Sequence, residues 1–379
     1  MQLKTYHYTA GRGWSQPFDS TLDSQHTMLL VLSSLGQAEL ESGLKDLRRA
    51  FPNATWVGCS TAGEICGDAL MDQSLVVAVA RFEHTWLRLA SATIAESSES
   101  QMVGTQLGAA LDAPDLKAVF LLSDGLCVNG SSLIKGLTDN LDGQVIVTGG
   151  LAGDGDRFET TWVMQDQAPQ SHRITAVGLY GERLRVSHGS KGGWDLLGPE
   201  RRITGSRSNV LLSIDGQPAL ALYKKYLGER ANGLPATALL FPLAILNTHA
   251  KDGVTVRTVL SVNEEENSIT FAGDVPEGST VRLMSANFER LINGAGEAAA
   301  SIMLDDYRGN ALLTIGISCI GRRLVLGQRT EEEIEEVRHA LPAGSELVGF
   351  YSYGEISPLA SGRCDLHNQT MTLTSFWET

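Results

Sequence analysis

Leu347-Val-Gly-Phe-Tyr-Ser-Tyr-Gly-Glu-Ile356 reads as a buried strand that ends in a glycine-bounded turn and an acid. Working outward, the helix-periodic stretch Glu331 to Leu341 precedes it, and before that lies the apolar run Leu312-Leu-Thr-Ile-Gly-Ile317. An alternating strand, Met371 to Trp377, follows. The same order occurs twice more. Met28-Leu-Leu-Val-Leu32, a helix over Gln37 to Phe51 and Trp56-Val-Gly-Cys-Ser-Thr-Ala-Gly-Glu-Ile65 lead to Leu75 to Phe82. Ala118-Val-Phe-Leu-Leu122, a helix over Ser131 to Leu141 and Val145-Ile-Val-Thr-Gly-Gly-Leu-Ala-Gly-Asp154 lead to Ile174 to Tyr180. Each is read as strand, helix, strand, ending in a Gly-x-x-x-x-Gly turn followed by Glu or Asp, so one unit occurs three times, over 28–82, 118–180 and 312–377. Similar strand-helix pairs precede two of them: Leu87 to Ile94 with Glu99 to Leu111, and Val281 to Met284 with Asn287 to Leu304.

Strand-helix-strand crossovers with continuous apolar strands imply parallel pairing with helices on the faces. The alternating strand after each turn suits antiparallel pairing. The expected fold is therefore α/β of the mixed α+β kind, in two halves built from repeated units, with mixed sheets. An unlike stretch, about Val186 to Gly278, separates the second unit from the third, and Asp215-Gly216 before Pro218 marks a turn within it. The halves are accordingly placed at 1–215 and 216–379.

The 379 residues carry a formal net charge of −14 and no Lys/Arg run, which argues against a nucleic-acid partner. The dense charge of Thr330 to Val337 reads as the solvated face of a helix. The longest apolar stretch, Ala238 to Leu246, is too short to span a bilayer and is interrupted by Pro242. The N-terminus lacks an apolar h-region. Five scattered cysteines with no Cys-x-x-Cys fit a reducing compartment. A cytoplasmic location without membrane insertion is expected.

Val57 to Ile65, Gly189 through Pro199, Ile214-Asp-Gly-Gln-Pro-Ala219, Gly349 to Ile356 and Leu366-His-Asn-Gln-Thr370 together resemble the FIST domains, N- and C-terminal halves in one chain. The resemblance spans nearly the whole sequence. It implies a sensory input role, partnership with a sensor histidine kinase or a cyclic-di-GMP enzyme, and a small-molecule ligand. One bacterial subset of the family binds haem and senses nitric oxide, which implies haem b as a cofactor. A homodimer is a further expectation.

Haem iron usually takes an imidazole. Of the eight histidines, His188 is the first candidate ligand: it precedes Gly189 and lies near Trp194 in a glycine-rich segment with room for a flat macrocycle. His249, after the apolar run, is the second. The last hairpin gathers Tyr351, Tyr353, Glu355, His367 and Asn368, a set suited to a small polar ligand or a haem edge. The plain alternatives are a satisfied or surface histidine, a packed cross-strand set, and turns whose acids accept N–H groups locally. No Gly-x-Ser-x-Gly, His-Glu-x-x-His, P-loop or dinucleotide fingerprint occurs. The expected function is thus a non-enzymatic sensor. The competing readings are a sensor of a metabolite such as an amino acid, and a hydrolase or transferase using Cys59 or the Tyr353/Glu355/His367 group.

Overall fold

The computed structural model describes residues 1–246, 254–359 and 361–379. The first unit runs β1 (Gln2–Thr9), β2 (Gly13–Trp14), β3 (Thr27–Ser33), α1 (Gln37–Ala50), β4 (Thr55–Ser60), the hairpin β5 (Glu64–Cys66) and β6 (Ala69–Met71), and β7 (Ser74–Arg81). The second runs β8 (Trp86–Thr93), α2 (Ser100–Leu111), β9 (Leu116–Ser123), α3 (Gly130–Thr138), β10 (Ile146–Leu151), the hairpin β11 (Val163–Gln165) and β12 (Ala168–Gln170), and β13 (Arg173–Tyr180). The third opens with β14 (Leu184–Lys191). An inserted module follows: β15 (Asp195–Arg207), β16 (Val210–Ile214), β17 (Gln217–Pro218), α4 (Ala219–Leu227), β18 (Leu243–Leu246), β19 (Val254–Arg257), β20 (Val259–Asn263), β21 (Ser268–Phe271) and β22 (Thr280–Ser285). The unit then resumes with α5 (Phe288–Ala300), β23 (Leu313–Cys319), α6 (Ile320–Leu326), α7 (Thr330–Ala340), β24 (Glu346–Ser352), the hairpin β25 (Gly354–Pro358) and β26 (Cys364–His367), and β27 (Met371–Glu378).

Each unit makes the same four-stranded kernel. A parallel pair joined through a helix (β3–β4, β9–β10, β23–β24) is flanked by an antiparallel strand (β7, β13, β27) and then by an antiparallel outer strand (β1, β8, β14). The central strands are buried on both faces, which is why they read as unbroken apolar runs. Strand alternation splits each run in two. Leu29 and Val31 pack with Leu40, Leu44 and Leu47 of α1, the apolar stripe of that helix. Met28, Leu30 and Leu32 face the other way and join Phe120 and Leu122 of the second unit and Ile315 and Ile317 of the third in one common core.

The turn hairpins interlock the units in a ring. β5 of the first unit pairs with β24 of the third, β25 of the third pairs with β10 of the second, and β11 of the second pairs with β4 of the first. At the turns, Gly58, Gly149 and Gly349 face the neighbouring parallel strand so closely that a Cβ would collide with the carbonyl oxygen of Val31, Leu121 or Gly316. The strand pairings make these three glycines equivalent. The middle turn departs from the expected repeat: it runs Gly149 to Gly153 with three residues between, not four, and its strand resumes only at Val163.

One further expectation is corrected. Val281 to Met284 is a strand, within β22, but it pairs with β15 and β18 of the inserted module, and the strand that opens the third unit is β14. A helix pattern marks where the unit resumes, but not where the chain left it. Across the division placed at 215/216 the sheets are shared: β14 pairs with β27 and β15 with β22. Among the described residues no helix is long and apolar enough to cross a membrane.

Candidate functional site

β14 is the edge strand of the third sheet, and β26 is the edge strand of the second. The ring brings these two edges together, and the inserted module lies over them. Between them opens a cleft of about 940 Å³. Its walls come from β14 and the glycine segment after it, from β19 and Met284 of the inserted module, from Arg290 of α5 and Met303 beyond it, and from Leu366, His367, Asn368 and Thr370.

Two histidines face this cleft. His188 sits opposite Thr374 in the β14–β27 ladder. Its ring has no hydrogen-bond partner among the described residues. Burial lowers its pKa below the usual histidine value, because the charged form loses hydration. His367 lies opposite Glu355 on β26, and its Nε2 is 2.9 Å from the carbonyl of Ser357. A carbonyl only accepts, so Nε2 carries the proton and Nδ1 keeps a lone pair. Burial lowers the His367 pKa too, outweighing the Ser357 carbonyl and Asp365, which work to raise it. Both rings are therefore neutral imidazoles near neutral pH, the form that ligates a metal. Trp194 borders the same cleft, held by its Nε1–H donating to the carbonyl of Gln369 at 2.8 Å. Gln369 is fully buried with φ of 62°, a left-handed conformation unusual for a non-glycine residue, and it fixes the crossing from β26 to β27. Leu196, Val254, Met284 and Met303 add apolar lining, Lys191 adds positive charge, and Arg290 is paired with Asp195, which also borders the cleft.

The other expected site residues fall elsewhere. Gly189 lines the cleft, but its missing side chain makes room for α5 and not for a ligand: a Cβ there would strike the carbonyl of Ala298 on α5, as one at Gly193 would strike that of Arg290. These glycines serve close packing on α5. Asn368 is spent on backbone, accepting from the N–H of Thr258 at 3.3 Å and donating to the carbonyl of His367 at 2.9 Å. Tyr351 does not reach the cleft. Its hydroxyl donates at 2.8 Å to Glu333, which also pairs with the buried Arg322. The Tyr353 hydroxyl bonds to Asp154 and to the carbonyl of Gly155, and its ring stacks on Phe158 at 4.5 Å. His249 lies outside the described residues.

The turn acids also point inward. Glu355 accepts from the Ser352 hydroxyl at 2.8 Å and from the N–H and hydroxyl of Thr370 at 3.1 and 2.9 Å. Glu64 accepts from the hydroxyls of Thr61, Ser74 and Ser34. Burial raises the pKa of each to about 8. Asp154 goes the other way. Burial works to raise its pKa, but the N–H groups of Thr160, Glu159 and Phe158 and the Tyr353 hydroxyl outweigh it and hold the carboxyl below the usual range. All three acids therefore tie down turns. Tyr353, Glu355 and His367 are not brought to one centre, and Cys59 is fully buried with its thiol pKa pushed well up by burial and by Glu64. The sequence reading missed the meeting of His188 with His367, and with it Lys191, Met284, Arg290 and Met303. No local signal announces it, since the two edge strands belong to different sheets.

The chain belongs to the FIST family: the FIST N domain matches residues 27–217 and the FIST C domain residues 219–358. FIST domains are generally sensory domains in signal transduction. An uncharacterized protein of Mycobacterium tuberculosis is 26% identical over 342 residues, covering 85% of this chain and 84% of its own. Another, of Methanocaldococcus jannaschii, is 21% identical over 367 residues, covering 86% of this chain and 69% of its own. Among solved structures, cyanuric acid hydrolase from A. caulinodans covers 99% of this chain and 98% of its own at 8% identity, with a TM-score of 0.37. At that score nothing is carried over from it.

Proposed function

We propose that this FIST protein is a ligand-binding sensor, not an enzyme, and that the cleft between β14 and β26 takes haem b with His188 as iron ligand. The observation that carries the reading is the His188 ring: it faces a roomy cleft, is kept neutral by burial, and has no protein partner among the described residues. The ring is half-buried and spends neither nitrogen on the described protein, so it is free to meet an iron held in the cleft. The lining fits the group. Trp194, Val254, Met284 and Met303 suit a flat apolar ring, and Lys191 suits a carboxylate of it. When bound, haem supplies an iron that takes up nitric oxide. Were haem bound, His188 would be the residue to hold its iron, and the neutral His367, which lines the same cleft, would offer the lone pair of Nδ1 as a hydrogen-bond acceptor.

A route outward exists in the packing. Arg322 donates to the carbonyl of Gly192, which lines the cleft, and to that of Leu291 on α5, while Glu333 on α7 holds the guanidinium. A shift at the glycine segment would reach the outer helices α5 and α7, the surface we assign to a histidine kinase or a cyclic-di-GMP enzyme. The test is hemin titration of the apoprotein: a Soret band that saturates at one equivalent supports the reading. Its absence, or its persistence unchanged in His188→Ala, sinks it.

A further inference from the structure

The described residues contain two almost fully buried arginines on the inner side of the inserted module, and they differ in one respect. Arg322 has its counter-charge: Glu333 accepts from Nε at 3.0 Å and from Nη2 at 2.7 Å. Arg257, at the end of β19 and 4% exposed, has none within ion-pair distance among the described residues. Its partners are neutral. Nε donates to the carbonyl of Asp274 at 3.0 Å, Nη1 to the carbonyls of Val256 and Leu366 at 3.3 and 3.1 Å, and Nη2 to the Ser131 hydroxyl at 3.3 Å. Among the described residues four of five N–H groups are thus used, and one on Nη2 is left over.

The charges of Asp365 and Asp274 act on Arg257 from a distance, but neither carboxylate touches the guanidinium. The Asp274 carboxylate accepts from Asn129 Nδ2 at 2.8 Å and the Ser208 hydroxyl at 3.1 Å, and only its backbone carbonyl meets Arg257. Asp365 accepts from the N–H of Leu366 and sits 3.7 Å from Arg363. A guanidinium out of water with no carboxylate in contact is costly, and one that also keeps a free N–H beside a cleft points to an anion that is not part of the chain.

Arg257 borders a second cleft of about 910 Å³, on the far side of β19 from the histidines, between α3 and the inserted module. Ser131 and Lys135, one turn apart on α3, line it, and Ser279 and Thr280 face them. Lys135 is exposed and has no partner among the described residues. Asp139, Asp274, Glu277 and Asp365 also border the cleft, with Arg363 beside them, so a large polyanion would be repelled.

We propose that this second cleft binds a small oxyanion, a carboxylate or phosphoryl group, through Arg257, Ser131 and Lys135. The site is separate from the histidine cleft and stands or falls independently of it. Guanidinium is the side chain suited to holding either group in two-point fashion, with lysine as an added point charge.

The test titrates the full chain with inorganic phosphate and with succinate by calorimetry, against chloride at matched ionic strength. The proposal expects saturable binding of at least one of them. Phosphate alone identifies a phosphoryl ligand, and succinate alone a carboxylate. Lys135→Glu, an exposed substitution that leaves folding intact, should weaken binding at least tenfold, and Arg257→Gln should abolish it. His188→Ala should leave it unchanged, which separates this site from the other. Should Arg257→Gln fail to fold, Lys135→Glu decides. Failure of both anions to bind, or equal affinity in Lys135→Glu, overturns the proposal.

Discussion

Replacing Glu355 by Gln should flatten the dependence of stability on pH. The folded-state carboxyl titrates at about 8, against an ordinary value of 4.5, because it is fully buried. Between those values the folded protein holds a proton that the unfolded chain has released. Stability then falls as pH rises from about 4.5 to about 8 and is level above that. Each pH unit in this window is worth about 1.4 kcal/mol per group. From pH 5 to 7 Glu355 alone removes about 3 kcal/mol, and Glu64, also at about 8, removes as much again. Glutamine keeps the shape of the protonated acid, with an oxygen for the Thr370 N–H and an amide for the Ser352 hydroxyl. Urea unfolding of wild type and Glu355→Gln at pH 5 and pH 7 measures the difference, in which all other titrating groups cancel. The variant should lose about 3 kcal/mol less than wild type over those two units. Equal pH slopes would show that Glu355 is ionised in the fold, and the account of the turn acids would be wrong.

Other outcomes follow from the same packing. Gly349→Ala should lower stability by about 3 kcal/mol or more, because its Cβ meets the carbonyl of Gly316 across a parallel pair; thermal unfolding checks it. Tyr353→Phe should lower stability by about 1–3 kcal/mol through the bonds to Asp154 and Gly155, yet leave hemin affinity within twofold, since the residue does not line the histidine cleft. Glu333→Gln should lower it by about 3–5 kcal/mol by leaving Arg322 buried without its charge, read by urea unfolding.

The unit repeat was legible because its signal is local. Leu29 and Val31 face a helix while Met28, Leu30 and Leu32 face the common core, so the strand shows no polar side and stands out in sequence. The glycines were legible for a related reason, since Gly58, Gly149 and Gly349 touch backbone. The interlock of the units was not. β5 has three residues and pairs with a strand nearly three hundred positions later in the chain, a choice made by the ring and not by the hairpin. The acids misled for a physical reason: a carboxylate after a glycine turn looks the same in sequence whether it faces solvent, as a ligand handle would, or three hydroxyls, as Glu64 does. His188 was found through its neighbours Gly189 and Trp194. The glycines turned out to serve α5, while Trp194 does line the cleft. Its proximity to His367 depends on two sheet edges meeting, which no single segment encodes.

The decisive measurement is the visible absorption spectrum of the apoprotein titrated with hemin, wild type beside His188→Ala, with both shown to be folded. A sensor that holds haem through His188 gives a Soret band saturating at one equivalent in wild type and a weakened, shifted band in the variant. Identical spectra in the two, or free-hemin absorbance throughout, would contradict it.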